Sequence, residues 1–80
     1  MSGKLPVVSG QDAVRAFQRL GYEVVRQRGS HIRLRHPIDP ARQPLTVPDH
    51  RTLKPGLLRR LIRDAQIEVD EFHKLLGGKS

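Results

Sequence analysis

Residues 22–36 contain the pattern that most restricts how this chain can fold. Residues 31–36 alternate polar and apolar side chains with a period of two, which is typical of a half-buried β-strand. Residues 22–28 are rich in strand-forming side chains, and Gly29-Ser30 between the two segments is a two-residue hairpin signal. The sequence therefore predicts an antiparallel hairpin here.

A helical pattern precedes the hairpin. Ser9 is a favourable N-cap residue, and Asp12 three positions later lies near the positive end of a helix dipole. Apolar residues then recur at helical spacing, and Gly21 is a suitable C-terminal cap. We expect a first helix over residues 10–20, after an N-terminal tail of residues 1–8.

A third strand and two further helices are predicted after the hairpin. Residues 37–44 contain three prolines and predict a loop, and residues 45–47 predict a short strand. Thr52 is the expected N-cap of a second helix, whose apolar stripe is rich in leucine and isoleucine. A break near residues 66–67 precedes a short third helix that ends at residues 77–78.

The order of these elements predicts the fold class. Eighty residues leave room for one domain, and three consecutive strands favour an antiparallel meander with helices on one face. We expect a single small α+β domain, α-β-β-β-α(-α), over residues 9–76, with a C-terminal tail at 77–80. The absence of cysteine excludes disulfides and thiolate zinc sites, and no apolar run approaches the about 18 residues of a membrane helix. A cytoplasmic protein with no membrane partner is expected.

Positive charge is concentrated in the middle of the chain. The net charge is +7, and residues 26–63 contain ten basic residues against two aspartates. Arginine predominates, and its guanidinium group is suited to bidentate contacts with phosphate. This distribution favours a surface that binds a polyanion, most simply a nucleic acid, and a merely solubilising surface is the alternative.

The hairpin turn also predicts which side chains share a face. One face should carry five charged or titratable residues: Arg26, Arg28, His31, Arg33 and Arg35. The cross-strand pairs of that face are Arg28 with His31, Arg26 with Arg33, and Val24 with Arg35. The other face should carry the apolar pair Val25 and Leu34. Like charges directly across strands destabilise a sheet by about a few tenths of a kcal/mol, and a bound polyanion would reverse that effect.

His31 lies at the turn end of this charged face. Imidazole titrates near neutral pH, so one side chain can both accept and donate protons. RNA supplies a matching nucleophile, because its 2′-OH lies beside the phosphodiester, and deprotonating it permits in-line attack without a metal. The arginines would stabilise the developing negative charge. A strand histidine is more often a surface or packing residue, and composition and register alone leave that alternative open.

Several motifs, in order along the chain, resemble a known family. They are Gly21-Tyr22, Val25-Arg26-Gln27-Arg28-Gly29-Ser30-His31, Thr46-Val47-Pro48-Asp49-His50, Leu53-Lys54-Pro55-Gly56 and Asp70-Glu71-Phe72. Over about residues 9–76 the chain resembles the HicA toxins of bacterial and archaeal toxin–antitoxin pairs. The resemblance implies a fold similar to a double-stranded-RNA-binding domain, an mRNA interferase activity, and a HicB-type antitoxin as partner.

The resemblance also bears on single positions. The catalytic histidine of the family falls on His31, which the hairpin register had selected independently. Leu57 stands where the family often has threonine, and Gln66 stands where glycine is common. Both departures are interpreted as structural.

Other candidate site residues each have two interpretations. His50 is either a second acid/base group that protonates the leaving 5′ oxygen, or a loop residue that orders the start of the second helix. Ser30 could donate to a phosphate oxygen, and Lys54 could join the helix amides in holding a phosphate. Arg59, Arg60 and Arg63 either extend the RNA-binding surface or form the solvated side of the second helix.

The remaining two histidines, His36 and His73, have no partner pattern and are interpreted as structural. The spacing of the four histidines matches no metal-ligand motif, so we expect neither a metal nor another cofactor. Three functions follow in order of preference. They are a metal-independent endoribonuclease toxin, a non-catalytic RNA-binding module of the double-stranded-RNA-binding type, and an adaptor whose basic face binds an acidic protein.

Overall fold

The computed structural model of the protein describes residues 4–77. Its elements are α1 (Gly10–Arg19), β1 (Glu23–Arg28), β2 (His31–Arg35), β3 (Leu45–Pro48), α2 (Pro55–Asp64) and α3 (Val69–Gly77). The strands form one antiparallel sheet in the order β1-β2-β3, which confirms the predicted meander and the α+β fold class. No helix within residues 4–77 has the length and hydropathy needed to cross a membrane.

The core lies between the helices and one face of the sheet. In β2, Ile32 and Leu34 are buried, whereas the alternating residues between and beside them are exposed. Phe17 of α1 and Phe72 of α3 are fully buried, and their ring centroids lie 5.3 Å apart. The helices therefore cover the apolar face, and the polar face is left open to solvent.

The start of α1 is fixed against the end of β3. Ser9 is the N-cap, and its hydroxyl oxygen accepts a hydrogen bond from the Asp12 amide at 3.0 Å, as the sequence predicts. Hydrogen bonds from the Ser9 hydroxyl and amide lower the pKa of Asp12. The Gly10 amide donates to the His50 carbonyl at 2.9 Å, and a Cβ at Gly10 would lie 2.0 Å from the Pro48 carbonyl oxygen. Only glycine fits this close approach.

The hairpin turn forms where the sequence predicts it. Gly29 has a φ of +59°, whereas Ser30 does not have a positive φ, which corresponds to a type II′ turn. Next to the turn, Arg28 pairs with His31 and Arg26 pairs with Arg33. These two predicted pairs are confirmed.

Farther from the turn, a β-bulge changes the register. The register shifts between Val24 and Arg26, so that Val24 pairs with Leu34. The predicted pairs of Val24 with Arg35 and of Val25 with Leu34 are therefore wrong, and Glu23 is the partner of Arg35. The predicted apolar pair of Val25 with Leu34 on the helix-covered face does not form. Neither valine of β1 is buried there, because Val24 is 42% exposed and Val25 is 52% exposed. Bulges are common on edge strands such as β1, where only one neighbour fixes the register.

The second helix begins later than the sequence predicts. The N-cap of α2 is Lys54, which has extended backbone angles and makes no side-chain capping bond, so the assignment of Thr52 as cap is wrong. Pro55 occupies the first helical position, where its missing N–H leaves no hydrogen bond unmade. The residue before a proline is biased toward extended angles, and Pro55 therefore determines the start of α2.

The loop between β2 and β3 is tied to the core by two aromatic side chains. The Tyr22 hydroxyl donates to the Gln43 carbonyl at 2.7 Å. His36 lies edge-on to the Tyr22 ring, accepts a hydrogen bond from the Asp39 amide through Nδ1, and lies 3.1 Å from the Leu20 carbonyl through Nε2. Both nitrogens of His36 are thus used inside the fold, in agreement with its structural interpretation.

The chain ends are partly described. Residues 4–8 form no helix or strand, but Val8 is buried and its carbonyl accepts a hydrogen bond from the Leu53 amide at 2.8 Å. Residues 1–3 of the predicted N-terminal tail and residues 78–80 of the predicted C-terminal tail lie outside the described residues. Gly77 is the last residue of α3.

Two helices end with the same capping motif but with different residues. After α1, the amides of Gly21 and Tyr22 donate to the carbonyls of Gln18 and Phe17, and Gly21 has a φ of +113°. After α2, the amides of Gln66 and Ile67 donate to the carbonyls of Arg63 and Ile62, and Gln66 has a φ of +63°. This pair of hydrogen bonds defines the Schellman motif. The residue with left-handed backbone angles in this motif occupies a position that glycine favours.

The substitution Gln66→Gly should therefore stabilise the protein. A side chain in the left-handed region costs about 1–2 kcal/mol, and the greater freedom of glycine in the unfolded chain offsets part of this gain. We expect the free energy of unfolding to rise by about 0.5–1 kcal/mol, measured by urea denaturation. Gln66→Ala is the matched control and should give no increase. A Gly variant no more stable than the Ala variant would contradict this explanation.

The free energy of unfolding should fall at high pH, because Tyr22 loses its phenolic proton there. Burial raises the pKa of Tyr22 to about 12; the Arg42 guanidinium opposes this shift, and the carboxylates of Asp64 and Asp39 add to it. The folded state therefore holds the phenolic proton more tightly than the unfolded chain. The resulting stabilisation is complete below pH 10, the ordinary pKa, and is lost as the pH rises from 10 to 12.

The variant Tyr22→Phe tests this contribution. It should lose about 1 kcal/mol at pH 7, because the Gln43 carbonyl loses its donor, and its stability should fall less steeply than that of the wild type above pH 10. Denaturation curves at pH 7, 10 and 11 measure both effects. Identical slopes for the two proteins above pH 10 would show that Tyr22 is not the group responsible.

Candidate functional site

The helix-free face of the sheet carries a positively charged depression. It has a volume of about 210 Å³ and is lined by Arg26, Arg28, His31, Arg33 and Thr46. All five residues are exposed, and they come from all three strands. Four of them belong to the charged face that the hairpin register predicts. We call this feature the sheet depression.

His31 occupies a fixed position at one end of the sheet depression. It is the first residue of β2 and pairs with Arg28 on one side and with Pro48 on the other. Its ring is exposed, and within residues 4–77 no side-chain hydrogen bond or ion pair engages it. The imidazole is therefore accessible to a ligand that lies across the face.

The charges of this face are not neutralised inside the fold. Arg26 lies directly opposite Arg33 in the ladder. The ion pairs found in the described part of the chain join Arg15 to Asp12 and Arg42 to Asp39, and neither pair contributes to the sheet depression. The sheet arginines thus repel one another in the free protein, and an anion would relieve that repulsion.

Thr46 is a lining residue that the sequence analysis did not identify. Arg33 Nη1 donates to Thr46 Oγ1 at 2.8 Å, which orients the guanidinium group across β2 and β3. The available signal was the alternation in β3, where Thr46 is exposed between the buried residues Leu45 and Val47. Its place beside Arg33 depends on the β2–β3 register, which no local motif indicates.

The segment that follows β3 is held beside the hairpin turn. The Asp49 amide donates to the Ser30 carbonyl at 2.6 Å, and Gln11 Nε2 donates to Asp49 Oδ1 at 3.1 Å. His50 is exposed, and its own carbonyl accepts the hydrogen bond from the Gly10 amide. His31, Ser30 and His50 therefore lie at the same end of the sheet.

Four of the predicted phosphate-binding residues do not line the sheet depression: Ser30 of the turn, Arg35, Lys54 and Arg59. Arg35 is on the same open face, at the end of β2 away from His31. Lys54 caps α2. Arg59 lines a separate groove of about 530 Å³ between α2 and α3, together with Arg63 and Glu71. The phosphate-binding roles of all the predicted residues, those that line the sheet depression included, stay predictions.

The fourth histidine also has a place in the fold. His73 Nε2 lies 2.7 Å from the Lys4 carbonyl, and this contact links α3 to the N-terminal segment. It is consistent with the structural interpretation of His73.

The arrangement permits proton transfer beside a bound anion. Guanidinium groups on neighbouring strands can hold a phosphodiester through charge-assisted hydrogen bonds. An exposed imidazole at the edge of that cluster can exchange a proton with a group next to the phosphorus.

Comparison with known proteins gives one match. A family model described as the HicA toxin of bacterial toxin–antitoxin systems matches residues 10–67, a range that includes the hairpin, the sheet depression and α2. No curated protein and no solved structure matches the chain.

The like charges of the sheet depression should reduce stability at low salt. Arg26→Gln removes one of two arginines that lie opposite each other, so the free energy of unfolding should rise by about 0.5 kcal/mol in dilute buffer. The gain should shrink in 0.5 M salt, where the charges are screened. Denaturation at the two salt concentrations measures both.

Arg15→Gln is the matched control for this substitution. It removes the same charge from an exposed helix position where Arg15 pairs with Asp12, and it should not stabilise the protein. Equal stabilisation by the two variants would mean that the overall net charge, and not the cross-strand pair, is responsible.

Proposed function

Because the chain belongs to the HicA toxin family of bacterial toxin–antitoxin systems, we propose that it is a metal-independent endoribonuclease that cleaves mRNA and thereby inhibits translation. His31 is its general acid/base. The observation that carries this proposal is the exposed imidazole of His31 among arginines from neighbouring strands. The toxin acts in the cytoplasm, where mRNA is found.

The proposed reaction is an internal transesterification. His31 accepts the proton of the ribose 2′-OH, and the 2′ oxygen attacks the adjacent phosphorus in line with the bond to the 5′ oxygen. That bond breaks and leaves a 2′,3′-cyclic phosphate on one fragment. The 5′ oxygen of the other fragment takes up a proton and becomes a hydroxyl. Water is consumed only in a later step, in which the cyclic phosphate is hydrolysed.

The arginines supply electrostatic stabilisation. Negative charge builds on the non-bridging oxygens as the phosphorus becomes five-coordinate, and Arg26, Arg28 and Arg33 surround the place where it would lie. The hydrogen bond from Arg33 to Thr46 orients its guanidinium before the substrate arrives, which lowers the entropic cost of binding. Arg35, Lys54 and Arg59 then serve to bind flanking phosphates.

His50 and Ser30 are the remaining candidates at this end of the sheet. His50 would protonate the leaving 5′ oxygen, and the Ser30 hydroxyl would donate to a phosphate oxygen. Their place beside the turn supports these roles, since the Asp49 amide is bonded to the Ser30 carbonyl. The Gly10 amide of α1 bonds only the main-chain carbonyl of His50, so the alternative in which the His50 side chain orders the start of α2 stays open.

An antitoxin of the HicB type is the proposed protein partner. A partner with acidic side chains would neutralise the same arginines that bind RNA and would cover His31 at the same time. Binding of this kind inhibits cleavage without a change in the toxin structure.

Replacement of His31 tests the cleavage mechanism. We expect His31→Gln to lower the rate of RNA cleavage in EDTA by at least about 100-fold, because the general base is lost. Stability should change by no more than about 0.5 kcal/mol, since the side chain is exposed. RNA affinity should remain, because the arginines are intact. Cleavage is followed on a gel, and affinity is measured with uncleavable RNA.

His73→Gln is the control, because it removes an exposed histidine from α3 and should leave cleavage unchanged. Full activity in His31→Ala would end the assignment of His31. Salt-sensitive RNA binding without any change in RNA length would instead favour the non-catalytic RNA-binding module.

The variant His50→Gln distinguishes the two roles proposed for His50. Slower cleavage with intact stability assigns the acid role, and lower stability with intact cleavage assigns the loop role.

A further inference from the structure

A second groove adjoins the sheet depression. It has a volume of about 270 Å³ and lies between β3 and α2. Arg33 and Thr46 line both features, so the two are continuous across the hydrogen bond that joins these side chains. Arg60 and Asp64 of α2 supply the charged groups of the far wall. We call this feature the α2 groove.

Arg33 connects the two binding surfaces. One of its guanidinium nitrogens is committed to Thr46, and a guanidinium group has five N–H donors in all. The remaining donors can reach a phosphate that lies between the sheet depression and the α2 groove. A strand of RNA that passes His31 would therefore enter the α2 groove with its next nucleotide.

The walls of the α2 groove match the parts of a nucleotide. Arg60 is exposed and can bind a phosphate oxygen. Leu57 is half-buried and, with Pro44, gives an apolar surface against which a base can pack. Asp64, about one helical turn after Arg60 in α2, supplies a hydrogen-bond acceptor in the same groove.

Asp64 is not explained by folding. It is the last residue of α2, where a negative charge opposes the helix dipole. Its carboxylate is half-buried, and no hydrogen bond or ion pair in residues 4–77 engages it. A carboxylate in this position is available to accept a hydrogen bond from a ligand in the α2 groove.

We infer that the α2 groove binds the nucleotide of single-stranded RNA that adjoins the one at His31, with its phosphate on Arg60 and its base on Asp64. This inference rests on the proposed function for the position of the neighbouring nucleotide. The base must be unstacked to enter the groove, which a single strand permits and a continuous duplex does not. A carboxylate accepts from the exocyclic amino group of cytosine, whereas the N3–H of uracil lies between two carbonyl oxygens that repel a carboxylate. Asp64 therefore favours cytosine over uracil.

Binding of short uncleavable RNA tests the inference separately from catalysis. The probes are fluorescent octamers of cytidine and of uridine with 2′-O-methyl riboses, which lack the nucleophilic 2′-OH. Arg60→Gln should weaken binding of the cytidine octamer about tenfold and should make the plot of log affinity against log salt less steep by about 0.7. Arg15→Gln, which removes an equal charge from α1, should change neither value.

Asp64→Asn tests the base contact. The wild type should bind the cytidine octamer about fivefold more tightly than the uridine octamer, since the charge-assisted hydrogen bond to the cytosine amino group forms without the repulsion from the two carbonyl oxygens of uracil. In Asp64→Asn this difference should fall below about twofold, because the amide can also pair with uracil. Denaturation should show that the Asn variant is at least as stable as the wild type, which excludes unfolding as the cause.

Each contrary result is informative. Equal loss of affinity in Arg60→Gln and Arg15→Gln, or a larger loss in Arg59→Gln than in Arg60→Gln, would overturn the assignment of the groove. A wild type that binds neither octamer, or that binds both equally, would overturn it as well. If the groove variants behave as expected while His31→Gln still cleaves RNA, the groove assignment stands and the catalytic proposal fails.

Discussion

The central position of β2 is the constraint on which both the fold and the candidate site depend. This strand pairs with β1 on one side and β3 on the other, and its side chains alternate between the two faces. Ile32 and Leu34 enter the core, so His31 and Arg33 must point to solvent. A slip of one residue in this register would exchange the two sets. The hydrophobic effect that buries two residues of β2 therefore also fixes the orientation of the proposed acid/base group.

Local signals were enough to predict this strand and its turn, but not the far end of the hairpin. Gly29-Ser30 determines the pairs nearest to it, and those pairs were predicted correctly. The bulge at Val25 arises in an edge strand whose second side has no partner, and its sequence contains no glycine or proline to mark it. The start of α2 was predicted wrongly for the opposite reason. A local feature, Pro55, outweighs the capping preference of Thr52 and determines where the helix begins.

The full set of residues that line the site can be identified only from the tertiary structure. Thr46 meets Arg33 because β3 returns beside β2 after a nine-residue loop, and that loop is anchored by Tyr22 and His36. No spacing in the sequence gives the register of strands joined in this way. For the same reason the sequence could not distinguish Arg59 from Arg60. Adjacent residues on a helix point in different directions, and the packing of α2 against β3 places only Arg60 beside Arg33.

The free protein keeps features that lower its stability, and the site accounts for several of them. Arginines lie opposite each other on the open face, and Asp64 lies at the unfavourable end of α2. A ligand that binds only the folded state stabilises it by an amount that rises with the logarithm of the ratio of its concentration to its Kd, so RNA and an acidic protein would each offset the repulsion. Both would do so through the same guanidinium groups. Under the proposed function, occupation by one would exclude the other, and the electrostatics that would favour RNA binding would also provide the means of inhibition.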